Sequence, residues 1–189
     1  MTSPSSPGPS ADVSVRMGWG DDAADIAAVQ VRAWRREYVD LLPPELLGSL
    51  DPEEIAAVWQ QSLTRPQDAR NRVLVALERN TVRGFAVTAP ASDPDTDQVA
   101  DGEIVELTVD PDATGHGHGS RLVQACAETL KADRFTRALV WVASTDDARR
   151  AFLGRAGFAP DGAHRELDLR GDGVVRVKQV RLHADLTDL

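Results

Sequence analysis

The stretch EIVELTVDPDATGHGHGSRLVQACAETL, Glu103–Leu130, decides how this chain is read. Glu103 to Val109 reads as a buried strand, five residues intervene, and Gly115, Gly117 and Gly119 then lead directly into a helix over Gly119 to Ala132. Glycines at such a junction let backbone N–H groups turn toward a common point, and the first helical turn adds unpaired donors with positive dipole character. The arrangement suits a phosphate or pyrophosphate. A P-loop is excluded, because no Lys occurs in the loop. A dinucleotide fingerprint is disfavoured: the sixth position from Gly115 is Ser120 and from Gly117 is Leu122, and the glycines lie too far from the strand end for a tight turn.

Upstream, Val13, Val15 and Met17 alternate as a strand, preceded by a Ser/Pro-rich tail over residues 1–12 with nothing to bury. Asp21 and Asp22 open an amphipathic helix through Ile26, Val31 and Trp34 to about Tyr38, its apolar face interrupted by Gln30. Pro52, Glu53 and Glu54 start a second helix with Ile55, Val58, Trp59 and Leu63 on one face. Val73–Leu77 and Gly84–Val87 read as a hairpin with turn chemistry over Glu78–Val82, and residues 91–102 as a solvated acidic loop. Downstream come a buried strand at Ala138–Ala143, a helix at Asp146–Ala156 stopped by Gly157, and a closing hairpin of His164–Arg170 with Val174–Leu182. This order implies an α/β domain, a mixed sheet with helices on its faces and parallel crossovers in the C-terminal half.

With 189 residues, 21 Lys plus Arg and 30 Asp plus Glu, the chain carries a net charge of −9 and is expected to form one domain at residues 13–189 after the tail. Its longest apolar run, Ala138–Ala143, is far short of the about 20 residues a spanning helix needs, so no membrane partner is expected. The N-terminus lacks signal-peptide chemistry, which points to the cytoplasm. The acidic balance argues against nucleic acid and for cationic partners. The single cysteine, Cys126, falls on an apolar helix face with Leu122, Val123 and Leu130 and reads as a packing thiol. His116 and His118, on a glycine loop without cysteines nearby, are read as no metal site.

The strand, the Val-Asp-Pro turn and the Gly-x-Gly-x-Gly-Ser loop closely resemble the coenzyme A pyrophosphate loop of the GNAT N-acetyltransferase superfamily. A second motif of that family is similar to Asp146-Asp147-Ala148, Ala151-Phe152-Leu153 and Ala156-Gly157-Phe158, and Trp34, Tyr38 and Leu42-Pro43 resemble the opening of a bacterial subgroup. The resemblance spans about residues 13–185 and implies a single-domain acyl-CoA N-acyltransferase fold with a mixed, mostly antiparallel sheet. It implies an enzyme that moves an acetyl group from acetyl-CoA, without a metal, to a small amine or a peptide amine by direct attack in a ternary complex. A homodimer is left open. The other reading is a catalytically weakened acyl-CoA-binding sensor or interaction module of the same fold.

On this resemblance the coenzyme lies against Leu107, Thr108 and Val109 of the strand, Thr114, Gly115, His116, Gly117, His118, Gly119 and Ser120 of the loop, and Asp146 of the second motif. Trp34 and Tyr38 line the acceptor pocket. Thr114 stands where the family usually has Arg or Gln, while Asp146 and Leu153 stand where it commonly has Asn and a catalytic Tyr. An alkylamine has a pKa near 10 and must lose a proton before it attacks, so a base is needed. Glu103 and Glu106 are the candidates. Three apart on a strand, they point to opposite faces unless a bulge intervenes, which leaves one to face the acceptor. Asp93, Asp95, Asp97, Asp101 and Glu103 are expected to draw in a cationic acceptor.

Overall fold

Val73–Leu77 is the point from which the two-sided core can be built, since alternate residues of a strand face opposite ways. Leu74 and Ala76 enter one apolar cluster, and Val73, Val75 and Leu77 enter another. The computed structural model describes residues 13–187; the tail expected at residues 1–12 lies outside them.

The strands are β1 (Val13–Met17), β2 (Arg72–Glu78), β3 (Thr81–Pro90), β4 (Asp101–Val109), β5 (Arg137–Ala143), β6 (Ala159–Asp168) and β7 (Arg176–Asp185). The helices are α1 (Ala23–Glu37), α2 (Pro44–Gly48), α3 (Pro52–Thr64), α4 (His118–Ala132) and α5 (Asp147–Arg155). One sheet takes all seven strands in the order β1-β2-β3-β4-β5-β7-β6. Of its pairs only β4–β5 is parallel, so the crossovers expected in the plural reduce to one, carried by α4. All the other pairs are antiparallel.

On one face α4 lays Leu122, Val123, Cys126 and Leu130 against Leu74, Ala86, Ile104 and Val140, with Leu153 and Phe158 completing the cluster. Cys126 is fully buried there, and burial pushes its thiol up to about 12, as a packing role requires. On the other face Ile26 and Val29 of α1 pack on Val75 and Phe85. Gln30, which interrupts the apolar face of α1, is buried and accepts a 2.8 Å hydrogen bond from Trp59 Nε1. Trp59 also meets Phe85 edge to face at 5.1 Å. The Asp51 carboxylate caps α3 by accepting from Glu53 N at 2.8 Å, yet Val58 stays 66% exposed, so α3 is an outer cover rather than a core helix.

Three sequence expectations change. Pro44–Gly48 forms a helix too short to show a period, held by Arg35 donating to the Leu47 carbonyl at 3.1 Å. The β2–β3 turn narrows to Arg79 and Asn80, with Glu78 paired to Thr81 and Arg79 at φ 57°. The acidic loop is not simply solvated. Arg181 of β7, 4% exposed, grips Asp93, Asp95 and Asp161 at 3.3, 2.6 and 2.7 Å, and Trp141 Nε1 donates to Asp93 at 2.9 Å. Asp101 already belongs to β4 and takes two hydrogen bonds from Arg137 at 2.8 and 2.6 Å. No helix of the described residues is long and apolar enough to cross a membrane.

Candidate active site

The parallel strands β4 and β5 pair only from Asp101 and Arg137 to Ile104 and Val140. Beyond that level β4 continues against β3 to Val109, while β5 continues against β7 to Ala143. The two strands therefore part, and a wedge opens at the end where α4 begins. Its β4 side is the backbone of Val105–Val109, which no longer has a β5 partner and so offers hydrogen-bonding groups to an extended ligand. Arg149 of α5 reaches the wedge and donates from Nη2 to the Leu107 carbonyl at 2.8 Å.

A bulge lies at the mouth. Val87 pairs with Glu106 and Thr88 with Ile104, which leaves Val105 as the extra residue. Ile104 and Leu107, three apart, accordingly enter the same cluster under α4. Glu103 and Glu106 stand opposite Ala89 and Val87, two residues apart on β3, and so share the other face. The expectation that only one of them faces that side is corrected: the bulge brings both there.

Their settings differ. Glu103 is buried, its carboxylate has no hydrogen-bond partner among the described residues, and desolvation followed by the Asp93 charge pushes its pKa up against the opposing pull of Arg165 and Arg181. Glu106 accepts a short hydrogen bond from the Thr108 hydroxyl and borders a cleft of about 580 Å³. Val58, Trp59, Val87 and Val105 give that cleft an apolar wall, with Gln30, Asn71 and Arg65 among its polar groups.

Trp34 and Tyr38 do not line this cleft; they meet edge to face at 6.4 Å at the C-terminal end of α1. Tyr38 is half-buried, and burial, then the Glu37 and Glu106 charges, push its phenol up to about 12, with Arg149 opposing. The chain's only tyrosine thus stands within electrostatic reach of the wedge, remote in sequence from the family's position. Leu153, which occupies that position, is wholly buried in the core and reaches no cleft. Glu37, unmarked by any motif, joins this group: desolvation pushes its carboxyl up, Arg149 opposes, and Glu106 and Asp146 add to the rise. Asp146 is the N-cap of α5, accepting from Arg149 N at 2.9 Å.

The glycine loop begins from a buried anchor. Asp110 is 1% exposed and receives Arg32 of α1 on both oxygens, at 3.3 and 2.7 Å, across 78 residues of sequence. The pair holds the Asp110 carboxyl below its usual range despite desolvation, the largest single influence on it. Nothing local in the sequence links these two residues. Thr114 turns its hydroxyl inward to donate to the Pro111 carbonyl at 3.2 Å. Gly115 and Gly117 take φ of 82° and 83°, the left-handed region, and Gly117 is the N-cap of α4. Arg121 N bonds back to the Gly117 carbonyl at 3.2 Å, whereas the N–H groups of His118, Gly119 and Ser120 precede any intrahelical acceptor. A Cβ on Gly119 would lie 3.4 Å from Phe152 Cζ, so glycine also sets how closely α5 approaches. Ser120 borders a second cleft of about 520 Å³ between α4 and α5, with Phe152 and Arg155 across from it.

The acidic residues expected to attract a cation are mostly occupied. Asp93 and Asp95 pair with Arg181, Asp101 pairs with Arg137, and Asp97 accepts from the Val99 N–H at 2.8 Å. Asp93, Asp95 and Asp101 are thus tied to cations within the fold, which weakens the basis for electrostatic steering by this loop, while Asp97 meets only a backbone N–H.

Residues 31–158 match the Acetyltransferase (GNAT) family. A relative in Bacillus subtilis, the uncharacterised N-acetyltransferase YuaI, is 28% identical over 130 residues, which are 69% of this chain and 71% of YuaI. Among solved structures, the PaiA N-acetyltransferase of Thermoplasma acidophilum in complex with coenzyme A superposes with a TM-score of 0.66 at 15% identity, covering 92% of this chain and 98% of that one. YncA of Salmonella typhimurium, solved with its cofactor acetyl-CoA, gives 0.66 at 16% identity, covering 93% and 94%. A family match over most of the chain, agreeing with the parted strands and the glycine loop at their end, settles the assignment: the chain belongs to the GNAT family of acetyltransferases.

Proposed function

We propose that the protein is an acetyl-CoA-dependent N-acetyltransferase acting on a primary amine by direct attack. The observation that carries this reading is the coincidence of three features at one place: the wedge between β4 and β5, the glycine loop at its end, and two carboxylates on one face beside a bulge. The unpaired N–H groups of His118, Gly119 and Ser120 suit the pyrophosphate, with Thr114, Gly115, His116 and Gly117 forming the turn that presents them. Leu107, Thr108 and Val109 suit the extended pantetheine arm. The YncA and PaiA structures, with acetyl-CoA and coenzyme A, support this donor.

The acceptor occupies the cleft beside Glu106. Glu106, past the level where the strands part, takes the amine proton directly or through a water, an effect worth about 10²- to 10⁴-fold. Glu103, deeper on the same face with a raised pKa, is the second carboxylate available to carry that proton away. The amine nitrogen bonds to the carbonyl carbon, the C–S bond breaks, and coenzyme A leaves as a thiolate. A free thiol has a pKa near 8.5, so departure needs only modest help and does not depend on a tyrosine at Leu153. Tyr38, a neutral phenol near the wedge, can donate a hydrogen bond to the leaving sulfur. Trp34 stiffens Tyr38 by its edge contact.

Calorimetric titration with acetyl-CoA, run beside free-thiol release over a panel of primary amines, tests the reading. Binding with amine-dependent thiol release is expected. Binding without turnover on any amine favours the sensor module, and absence of binding overturns both.

A further inference from the structure

We propose that Glu78, His116 and His118 form a binding site for a first-row divalent metal ion, with zinc the best match. Glu78 ends β2, two strands from the wedge, and the two histidines flank Gly117 in the glycine loop, so three side chains from two segments far apart in the chain converge on the side of the loop away from β5. One ligand atom from each lies within 4.8 Å of the other two. The expectation of no metal, based on two histidines without cysteines, lacked this third ligand, which only the pairing of β2 with its neighbours brings near.

His118 supplies the independent observation. It is 1% exposed, and neither ring nitrogen has a hydrogen-bond partner, a condition native interiors rarely tolerate. A metal on one nitrogen would remove half of that deficit. Two imidazoles and a carboxylate form a mixed nitrogen and oxygen set of the kind zinc uses with an open fourth position. Ligand atoms about 2.0–2.1 Å from a tetrahedral ion are about 3.3 Å apart, so the set must contract. His116 can move, since its side chain is 59% exposed and now sits 3.9 Å from Glu78 Oε1.

The surroundings both help and oppose. Arg83 donates to Glu78 Oε2 at 3.2 Å, which holds the carboxylate and leaves Oε1 toward the histidines. Arg83 and Arg121 also place positive charge near His118. A neutral-ligand site with one carboxylate must overcome that repulsion, which favours a strongly bound transition ion over magnesium or calcium. A bound ion would tie the β2–β3 turn to the loop and hold the loop's shape independently of the coenzyme.

The test is Co²⁺ and Zn²⁺ binding to the full-length protein after chelator treatment, read by visible ligand-field bands and by competition with a chromogenic chelator. One equivalent of Co²⁺ with strong bands, displaced by Zn²⁺, is expected. Outer-shell partners alone are worth about 10- to 100-fold in metal affinity, so His116→Ala and Glu78→Gln should each lose at least about tenfold. Both positions are accessible enough for the variants to fold. His164→Ala, on an exposed histidine elsewhere, serves as the control and should bind as the parent does. Absence of ligand-field bands, or equal affinity in the His116, Glu78 and His164 variants, overturns the site.

Discussion

Replacing Gly117 by Ala tests the glycine loop most directly, because the structure separates its two costs. Gly117 caps α4 at φ 83° and ψ 5°, where an L side chain pays roughly 1–2 kcal/mol. A chain of 189 residues loses about 2–4 °C in Tm per kcal/mol, so strain alone should lower Tm by roughly 2–8 °C. The new Cβ would also lie 2.7 Å from Arg121 Nη1, the far end of a flexible side chain that can swing aside. If the loop instead relaxes toward negative φ, the N–H groups of the first turn leave their common point. Loss of one hydrogen bond to a charged group is worth about 1.5–3 kcal/mol, roughly 10- to 150-fold in coenzyme affinity. Calorimetry with acetyl-CoA and a thermal melt read the two quantities. Gly171→Ala is the matched control: it too has positive φ, 72°, with nothing within 4 Å of its Cβ, and lies in the distant β6–β7 hairpin. It should lose comparable stability and no coenzyme affinity. Folded Gly117→Ala that binds acetyl-CoA as the parent does would refute the loop's role.

Glu106→Gln should lower kcat/KM by about 10²- to 10⁴-fold, most steeply at low pH where more of the amine is ammonium, with acetyl-CoA affinity nearly unchanged; a flat pH dependence of the loss would move the base elsewhere. Glu103→Gln should raise Tm at neutral pH, because the folded state raises this carboxyl's pKa and ionising it there costs stability. That gain should be absent below the ordinary value of 4.5 and grow as pH rises through the folded value, a course that melts at stepped pH will follow. Arg181→Met should cost about 3 kcal/mol, the lower end for breaking a buried pair since Asp95 is 61% exposed, by leaving Asp161 without its cation and Asp93 with Arg165 alone, 3.6 Å away. A melt within a degree or so of the parent's would show that the acidic loop does not depend on this residue.

Apart from the short α2, the element order, the two-faced sheet and the glycine loop at the head of α4 were legible in the amino-acid sequence because their signals are local. Asp51 before Pro52, glycines ahead of His118, and the run Val73–Leu77 each act within a turn or a strand, where hydrogen bonding and burial repeat with the chain. Cys126 was legible as a packing thiol for the same reason. The facing of Glu103 and Glu106 was not, since it turns on Val105 being squeezed out of register against Val87 and Thr88, a choice made between strands. Arg32 with Asp110, Arg181 with Asp93, Asp95 and Asp161, and Glu78 with the two histidines are partnerships of residues far apart in the chain. A charge carries no mark of its partner until folding fixes their distance, so composition could report a net −9 but not that Asp93, Asp95 and Asp101 of the acidic stretch are tied to arginines of β5 and β7.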